Sequence, residues 1–519
     1  MATNVSFNPY NAAETPPGMV EIRIGVFFDG TQNNRDNSRA GGRDPHHKTR
    51  TNAEILTYQE YSNKDDDSYC NDLSNVARKE IHYKEDTGNY ISKIYIEGIG
   101  TRNGGADSDD ITEHTGVAYG SGDTGVREKV RKGCEEVVKK VNELRGRKKV
   151  TNLILDVFGF SRGAAAARNF VHEVNKGPYK PKSGSAGKAG TVYTDSFGKR
   201  VTTGANDLPK WGHIGMTLKS DIENIQTITV RFLGLYDTVS SYDPHASQVT
   251  TSPNFDNDVS ELFLNDLRAK KIIQLAASDE HRENFMLTPC SAAGGTDFYL
   301  PGVHSDIGGS YTNNIEEKNI QIMDFDNKPG DGRDNEDYER ILNNDLNNLI
   351  EQAWFRPEQV TRPNYWLETY VTRAKISNRY SHVTLNVMAD LVNHNYSDTV
   401  DIGRLTTDYE IPTGAGDAYF SLDLTKVRDR LIDFVYGRKP KMVYYTNREL
   451  DKFKADMQAK RLTAAQYNIY AEDHNMLMLL RNKYLHWNSK FGAIGYRPSY
   501  KVDYNNSQIT RKRKLEPNS

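Results

Sequence analysis

The clearest chemical signal in the chain is a serine with a glycine two residues to either side, Gly159-Phe160-Ser161-Arg162-Gly163. At ordinary glycine usage this G-x-S-x-G pattern arises by chance in about one chain in six of this length, so its setting decides its meaning. It follows Val150–Phe158, the most apolar run in the sequence, and opens into Ala164-Ala165-Ala166-Ala167. That order, buried strand, tight turn, helix, is what an activated serine requires. The hydroxyl must project from a strained turn, and the glycines let strand and helix approach closely. The Arg162 backbone N–H, at the helix N-terminus, can then donate to an oxyanion.

A serine hydroxyl needs a base to take its proton, and the base needs an acid to orient it. In α/β-hydrolases the chain order is Ser, then Asp or Glu, then His, each at a strand end. Asp237 ends the strand Thr227–Tyr236, and His304 follows Asp297–Val303 in a tight loop, Pro-Gly-Val-His-Ser-Asp-Ile-Gly-Gly. Asp279 is an alternative acid, read together with His281 as lying on or just after a helix. His486 is an alternative base, also in surroundings that read as helical. Asp29-Gly30-Thr31 ends the first strand, and a backbone N–H of Gly30 or Thr31 could be the second oxyanion donor; a plain Asp-Gly turn is the other reading.

Other features carry less chemistry. Gly98-Ile99-Gly100-Thr101 lacks the third glycine and the following helix of a dinucleotide site, so no cofactor is expected. Asp65-Asp66-Asp67 and the stretch Asp324 to Asp334 lack an EF-hand register. They read as solvated loops, and no metal is expected. Cys70, Cys134 and Cys290 are too few and too scattered for a disulfide framework or a zinc site.

The elements that must position these residues follow the rhythm of a parallel sheet. Strands are expected at Glu21–Asp29 and Lys93–Gly98, with an amphipathic helix over 125–145 and a helix at Gly163–Val174. Val259–Ala277 reads as a helix, 313–335 as polar loop and 336–354 as a helix. The expected fold class is α/β: an α/β-hydrolase-like, mostly parallel sheet with helices on both faces, plus a mostly helical C-terminal region. The domains expected are an irregular N-terminus (1–20), a catalytic core (21–354) and a helical region packed on it (355–510). A basic tail (511–519) reads as a solvated end. Residues 177–220, rich in Gly, Lys and Ser, are an insertion and, by position, a lid candidate.

The chain has 519 residues, with 67 basic against 70 acidic. Nucleic-acid binding is not expected, because the only dense basic cluster is Arg511–Lys514. No window approaches the apolar length of a membrane span, and the first residues show no secretory signal.

The motifs FFDGTQNN (27–34), EGIGT (97–101), GFSRGAAAAR (159–168), GLYDTV (234–239) and LPGVHSDIGGSY (300–311) resemble, in order, the phospholipase effectors of bacterial type VI secretion systems. The likeness is to the first of their lipase-effector families, and weaker echoes continue to about residue 490. The resemblance implies a Ser161–Asp237–His304 triad and phospholipase A activity on membrane glycerophospholipids. It further implies a carrier spike or tube protein, a cognate immunity protein and delivery into the periplasm of the target cell. An esterase of small soluble or polysaccharide esters, and a non-catalytic module of the secretion apparatus, are the competing readings.

Overall fold

The computed structural model describes residues 18–108, 119–185, 191–202, 204–218, 225–242, 261–324, 335–363, 368–413, 422–492 and 496–516. Six strands form the central sheet: β1 (Met19–Phe28), β2 (Ile91–Ile96), β3 (Lys149–Phe160), β4 (Thr227–Tyr236), β5 (Ala269–Ala277) and β6 (Thr296–Leu300). Their order is β2-β1-β3-β4-β5-β6, and every pairing is parallel. A parallel sheet is covered on both faces, so its inner strands read as unbroken apolar runs. In β3 every residue after Lys149 is buried.

Alternate residues of these strands feed two separate cores. Ile22, Ile24, Val26 and Phe28, with Leu153, Leu155 and Val157, face helices α2 (Val126–Arg145) and α3 (Arg162–Val174). The valines of α2 recur at helical spacing and form its buried stripe. On the opposite face Phe27, Phe158, Phe160, Phe232 and Tyr236 join Val76 of helix α1 (Asn75–His82) in a core built largely from the second half of the chain. Its helices are α4 (Asn335–Glu351), α5 (Tyr380–Asn395), α6 (Leu424–Val435) and α7 (Ala464–Lys483). These helices are thus one of the two layers covering the sheet.

Several local expectations are corrected. Ala269–Ala277 is a strand between β4 and β6, not a helix. Its run Ile272–Ala277 is a short buried segment, for which apolar periodicity does not separate strand from helix. Asp279 and His281 therefore follow a strand. Residues Ile315–Met323 are also extended, and pair antiparallel with Thr369–Ile376. The C-terminal region contains a hairpin, Tyr500–Asp503 with Gln508–Arg511. His486 lies beyond the end of α7, in irregular chain.

The described part of 177–220 holds a hairpin, Lys182–Ser185 with Thr191–Thr194, and a helix, Gly212–Leu218. Trp211, Ile214 and Leu218 pack into the α2 and α3 core. The acidic stretch expected at 324–334 lies outside the described residues except for Asp324. Among the described residues, no helix is long and apolar enough to cross a membrane.

Candidate active site

Ser161 stands at the junction of β3 and α3 with φ 58° and ψ −130°. A left-handed backbone at a non-glycine residue is strained, and is held only when its surroundings fix it. Here the Ser161 N–H donates to Tyr236 O (3.0 Å), and its carbonyl accepts from Ala164 N–H (3.0 Å). The two motif glycines permit the turn by their lack of a side chain. A Cβ on Gly159 would lie 2.5 Å from Gly163 O, and one on Gly163 would lie 2.1 Å from Asp29 O. Further along α3, Arg168 is fully buried and ties the helix to the Leu264 and Thr288 carbonyls.

The structure brings His304 and Asp237 together. His304 begins a short helix beyond β6, and Asp237 follows β4, also in the left-handed region (φ 48°). His304 Nδ1 lies 2.5 Å from Asp237 Oδ2. The carboxylate's other oxygen, Oδ1, accepts the Ala277 N–H at 2.8 Å. The imidazole is held between two aromatic rings, Phe160 at 4.7 Å and Phe285 at 5.0 Å between centroids. Ser161 and His304 line one cavity of about 660 Å³, together with Thr31, Phe160, Arg162 and Phe285. That volume suits a lipid-sized or drug-sized ligand.

The alternatives are placed elsewhere. Asp279 Oδ2 accepts the Gly302 N–H at 2.7 Å and so shapes the loop before His304. His281 is buried against Ser489 Oγ (2.6 Å), and burial pushes its pKa down to about 4. His486 does line the cavity, but its Nδ1 is bonded to Asp306 Oδ1 at 2.6 Å, and its ring stacks on Tyr311. Asp306 also accepts the Val303 N–H (3.0 Å), so this second His–Asp pair clamps the His304 loop to the C-terminal region.

The two expected oxyanion positions on the Asp29 turn differ. The Gly30 N–H is committed to Asp29 Oδ1 at 2.8 Å. Thr31 faces the cavity, and its hydroxyl accepts Arg162 Nε at 2.8 Å, which pins the turn to the start of α3. Gly98 belongs to the same packing, since a Cβ there would strike Gly30 O at 1.7 Å. This gives the Gly98-x-Gly100 segment a structural reason.

Sequence reasoning missed two ion pairs around the imidazole. Glu280, after β5, accepts the His304 backbone N–H at 3.2 Å and pairs with Arg282 at 2.9 Å. Arg513 donates to both oxygens of Asp237, at 2.5 and 2.9 Å. Arg511 likewise takes both oxygens of Asp345 on α4, each at 2.7 Å. The expected solvated tail is therefore laid down on the protein through 516, because two of its cations find buried carboxylates. A charged side chain is rarely buried without such a partner.

The electrostatics of the site follow from these pairs. Burial alone would raise the Asp237 pKa, but Arg513 and His304 outweigh it and bring the carboxyl down to about 2. Burial lowers the His304 pKa below 6.5; Asp237 opposes that shift, and Arg282 and Arg513 reinforce it. At neutral pH the arrangement holds an ionised Asp237 beside a neutral imidazole.

Among the described residues no group of three or more His, Cys, Asp or Glu side chains is placed to hold a metal ion. Of residues 177–220, none of those described lines the cavity.

A parallel sheet with a serine elbow, and an Asp–His pair on the loops of its later strands, defines an α/β-hydrolase-like protein. More particularly, the chain belongs to the Tle1-like phospholipase effectors of the type VI secretion system. The model of that family's catalytic domain matches residues 23–326, and the family implies a lipolytic hydrolase. Over its whole length the chain is similar in fold to a Tle1 effector solved bound to the VgrG spike of that system. The TM-score is 0.52 at 20% identity, covering 100% of this chain and 93% of that one. An uncharacterized protein from Pseudomonas aeruginosa aligns at TM-score 0.33 and 15% identity, over 90% of this chain and 64% of that one. No curated protein matches.

Proposed function

We propose that the protein is a serine phospholipase of the A type, and that Ser161, His304 and Asp237 are its triad. The observation that carries this reading is the 2.5 Å contact of His304 Nδ1 with Asp237, with Ser161 on the same cavity wall. His304 takes the Ser161 proton through Nε2 as the serine oxygen attacks the ester carbonyl. The N–H groups of Arg162 and Thr31 receive the oxyanion. His304 then protonates the departing lysophospholipid oxygen, and water attacks the acyl-enzyme by the same route in reverse. Asp237 holds the imidazole in the tautomer that bears its proton on Nδ1.

The substrate is membrane glycerophospholipid, which family membership and the cavity support. The protein acts as an antibacterial effector, delivered into the target cell toward its periplasm. It rides on a spike protein, as its structural relative does, and an immunity protein guards the producer.

The test is fatty-acid release from phospholipid vesicles by the wild type and by Ser161→Ala. Release by the wild type alone is expected. Equal release by both removes Ser161 from the chemistry. Hydrolysis of short-chain esters with none of vesicles moves the substrate to small soluble esters.

A further inference from the structure

The Asp237 carboxylate is bound by a residue 276 positions away in sequence. After the hairpin that ends at Arg511, the chain runs beside residues 285–287. The Leu287 N–H donates to Lys514 O at 3.0 Å, and the Glu516 N–H to Leu287 O at 2.8 Å. This places Arg513 with Nε on Phe285 O at 2.6 Å and its two terminal nitrogens on the two oxygens of Asp237. Three of its five N–H groups are thus used in a fixed fork, a geometry open to arginine and closed to lysine.

We infer that Arg513 is a positioning residue of the hydrolytic site, which locks the Asp237 carboxylate and keeps the His304 imidazole neutral. The inference rests on the triad reading above.

Two physical effects support it. The first is orientation. Asp237 Oδ2 is shared by His304 Nδ1 and Arg513, and Oδ1 by the Ala277 N–H and Arg513. Without Arg513 the carboxylate keeps one contact on each oxygen but loses the fork that fixes its plane against the imidazole.

The second effect is charge. The ionisable groups facing the imidazole are Asp237 just after β4, Glu280 and Arg282 in the loop after β5, and Arg513 from the tail. Tyr299 on β6 stands near Asp237 with its pKa raised by burial, and so is neutral. On the helix of His304 itself, Asp306 is engaged by His486. The facing charges close as two pairs, Asp237 with Arg513 and Glu280 with Arg282. Removing Arg513 leaves an uncompensated negative charge against His304, and such a charge draws a proton onto the ring. The base would then be lost at a higher pH than in the wild type.

The experiment follows kcat/KM for fatty-acid release from phosphatidylcholine vesicles between about pH 5 and pH 9, where the lipid headgroup does not titrate. The proteins are the wild type, Ser161→Ala, Arg513→Gln, Arg513→Lys and Arg511→Gln, each checked for folding by circular dichroism and thermal unfolding. Arg513→Gln is expected to move the acid limb up by about one pH unit and to lower the plateau by about a hundredfold. Arg513→Lys keeps the charge and loses the fork, so the limb stays near the wild-type position while the plateau falls at least about tenfold. Arg511→Gln, which loosens the tail from Asp345, leaves the limb in place.

A folded Arg513→Gln whose limb coincides with the wild type overturns the inference, even if its plateau is lower. If that variant does not fold, Arg513→Lys decides, and full wild-type activity in it rejects the role. Activity in Ser161→Ala equal to the wild type would instead reject the underlying triad, so the two failures are distinguishable.

Discussion

The ring of Phe160, the residue before the elbow serine, lies against the His304 imidazole with centroids 4.7 Å apart and an interplanar angle of 33°. One aromatic side chain therefore couples the end of β3 to the loop beyond β6, at opposite sides of β4 and β5. It is also wedged beneath that loop, where a Cβ on Gly308 would come within 2.0 Å of its ring.

Phe160→Ala should accordingly damage stability and chemistry together. Emptying this buried site costs about 3–5 kcal/mol, read as a lower midpoint in denaturant unfolding. Residual folded protein should have a lower kcat, because the imidazole gains a void to move into. Unchanged kcat in the folded fraction would remove Phe160 from the support of the base.

Asp237 and Asp279 are separated by their partners, His304 Nδ1 and the Gly302 N–H. Asp237→Asn should lower kcat by about ten-thousandfold, since an amide presents the wrong group to the ring. Asp279→Asn keeps an acceptor for Gly302 and should retain most activity. The reverse ranking in a single-turnover assay would reassign the acid.

His486 shares the cavity with His304 but is bonded to Asp306. Replacing it by Phe takes one side-chain hydrogen bond from the buried Asp306 carboxylate, which keeps the Val303 and His486 backbone N–H groups, at a cost of about 1–3 kcal/mol. The loss should appear as a lower Tm, with activity persisting below the transition. His304→Ala should differ in activity, being silent even where it is fully folded. If the two phenotypes were exchanged, His486 would be the base.

The pKa shifts give two signs. His304 is held below 6.5, so the acid limb of kcat/KM should fall below that pH, with the imidazole still an acceptor in mildly acidic conditions. For Asp237 the folded-state pKa of about 2 lies below the 3.8 of the free group. The stability it contributes is therefore complete above the unfolded value. It is lost as pH falls from about 4 through about 2, and amounts to about 2 kcal/mol. An acid titration of unfolding free energy that is flat through that window would contradict the Arg513 and His304 pairing.

Shortening the hairpin Lys182–Thr194 should leave vesicle hydrolysis intact, because none of its described residues lines the cavity and its neighbours pack on the far core. A large loss of interfacial activity would make this insertion a lid.

The parts legible in the sequence were those governed by local rules. Strand, turn and helix around Ser161 are encoded within twenty-odd consecutive residues, and the glycines of the elbow carry their own steric signature. β4 was readable to its ends, because its apolar run stops at an aspartate. β5 was not: Ile272–Ala277 is apolar without a period, and only the neighbouring strands make it extended. Arg513 was opaque for another reason. Four cations in a row look alike in sequence, and which of them meets a buried carboxylate is decided by the path of the tail. Glu280 was hidden in the same way beside Asp279 and His281, although a Glu-x-Arg pair directly after a buried strand is a signal worth reading.

The family's catalytic segment ends at residue 326, yet the aromatic face of the sheet is roofed by helices that begin after it. A fragment cut there would strip Phe232 of Tyr396 and Phe298 of Phe434, opening that part of the face to water, and such surfaces drive aggregation. The boundary drawn along the chain is thus no boundary in space. Melting should proceed as a single cooperative event, with the C-terminal helices and the sheet giving way together.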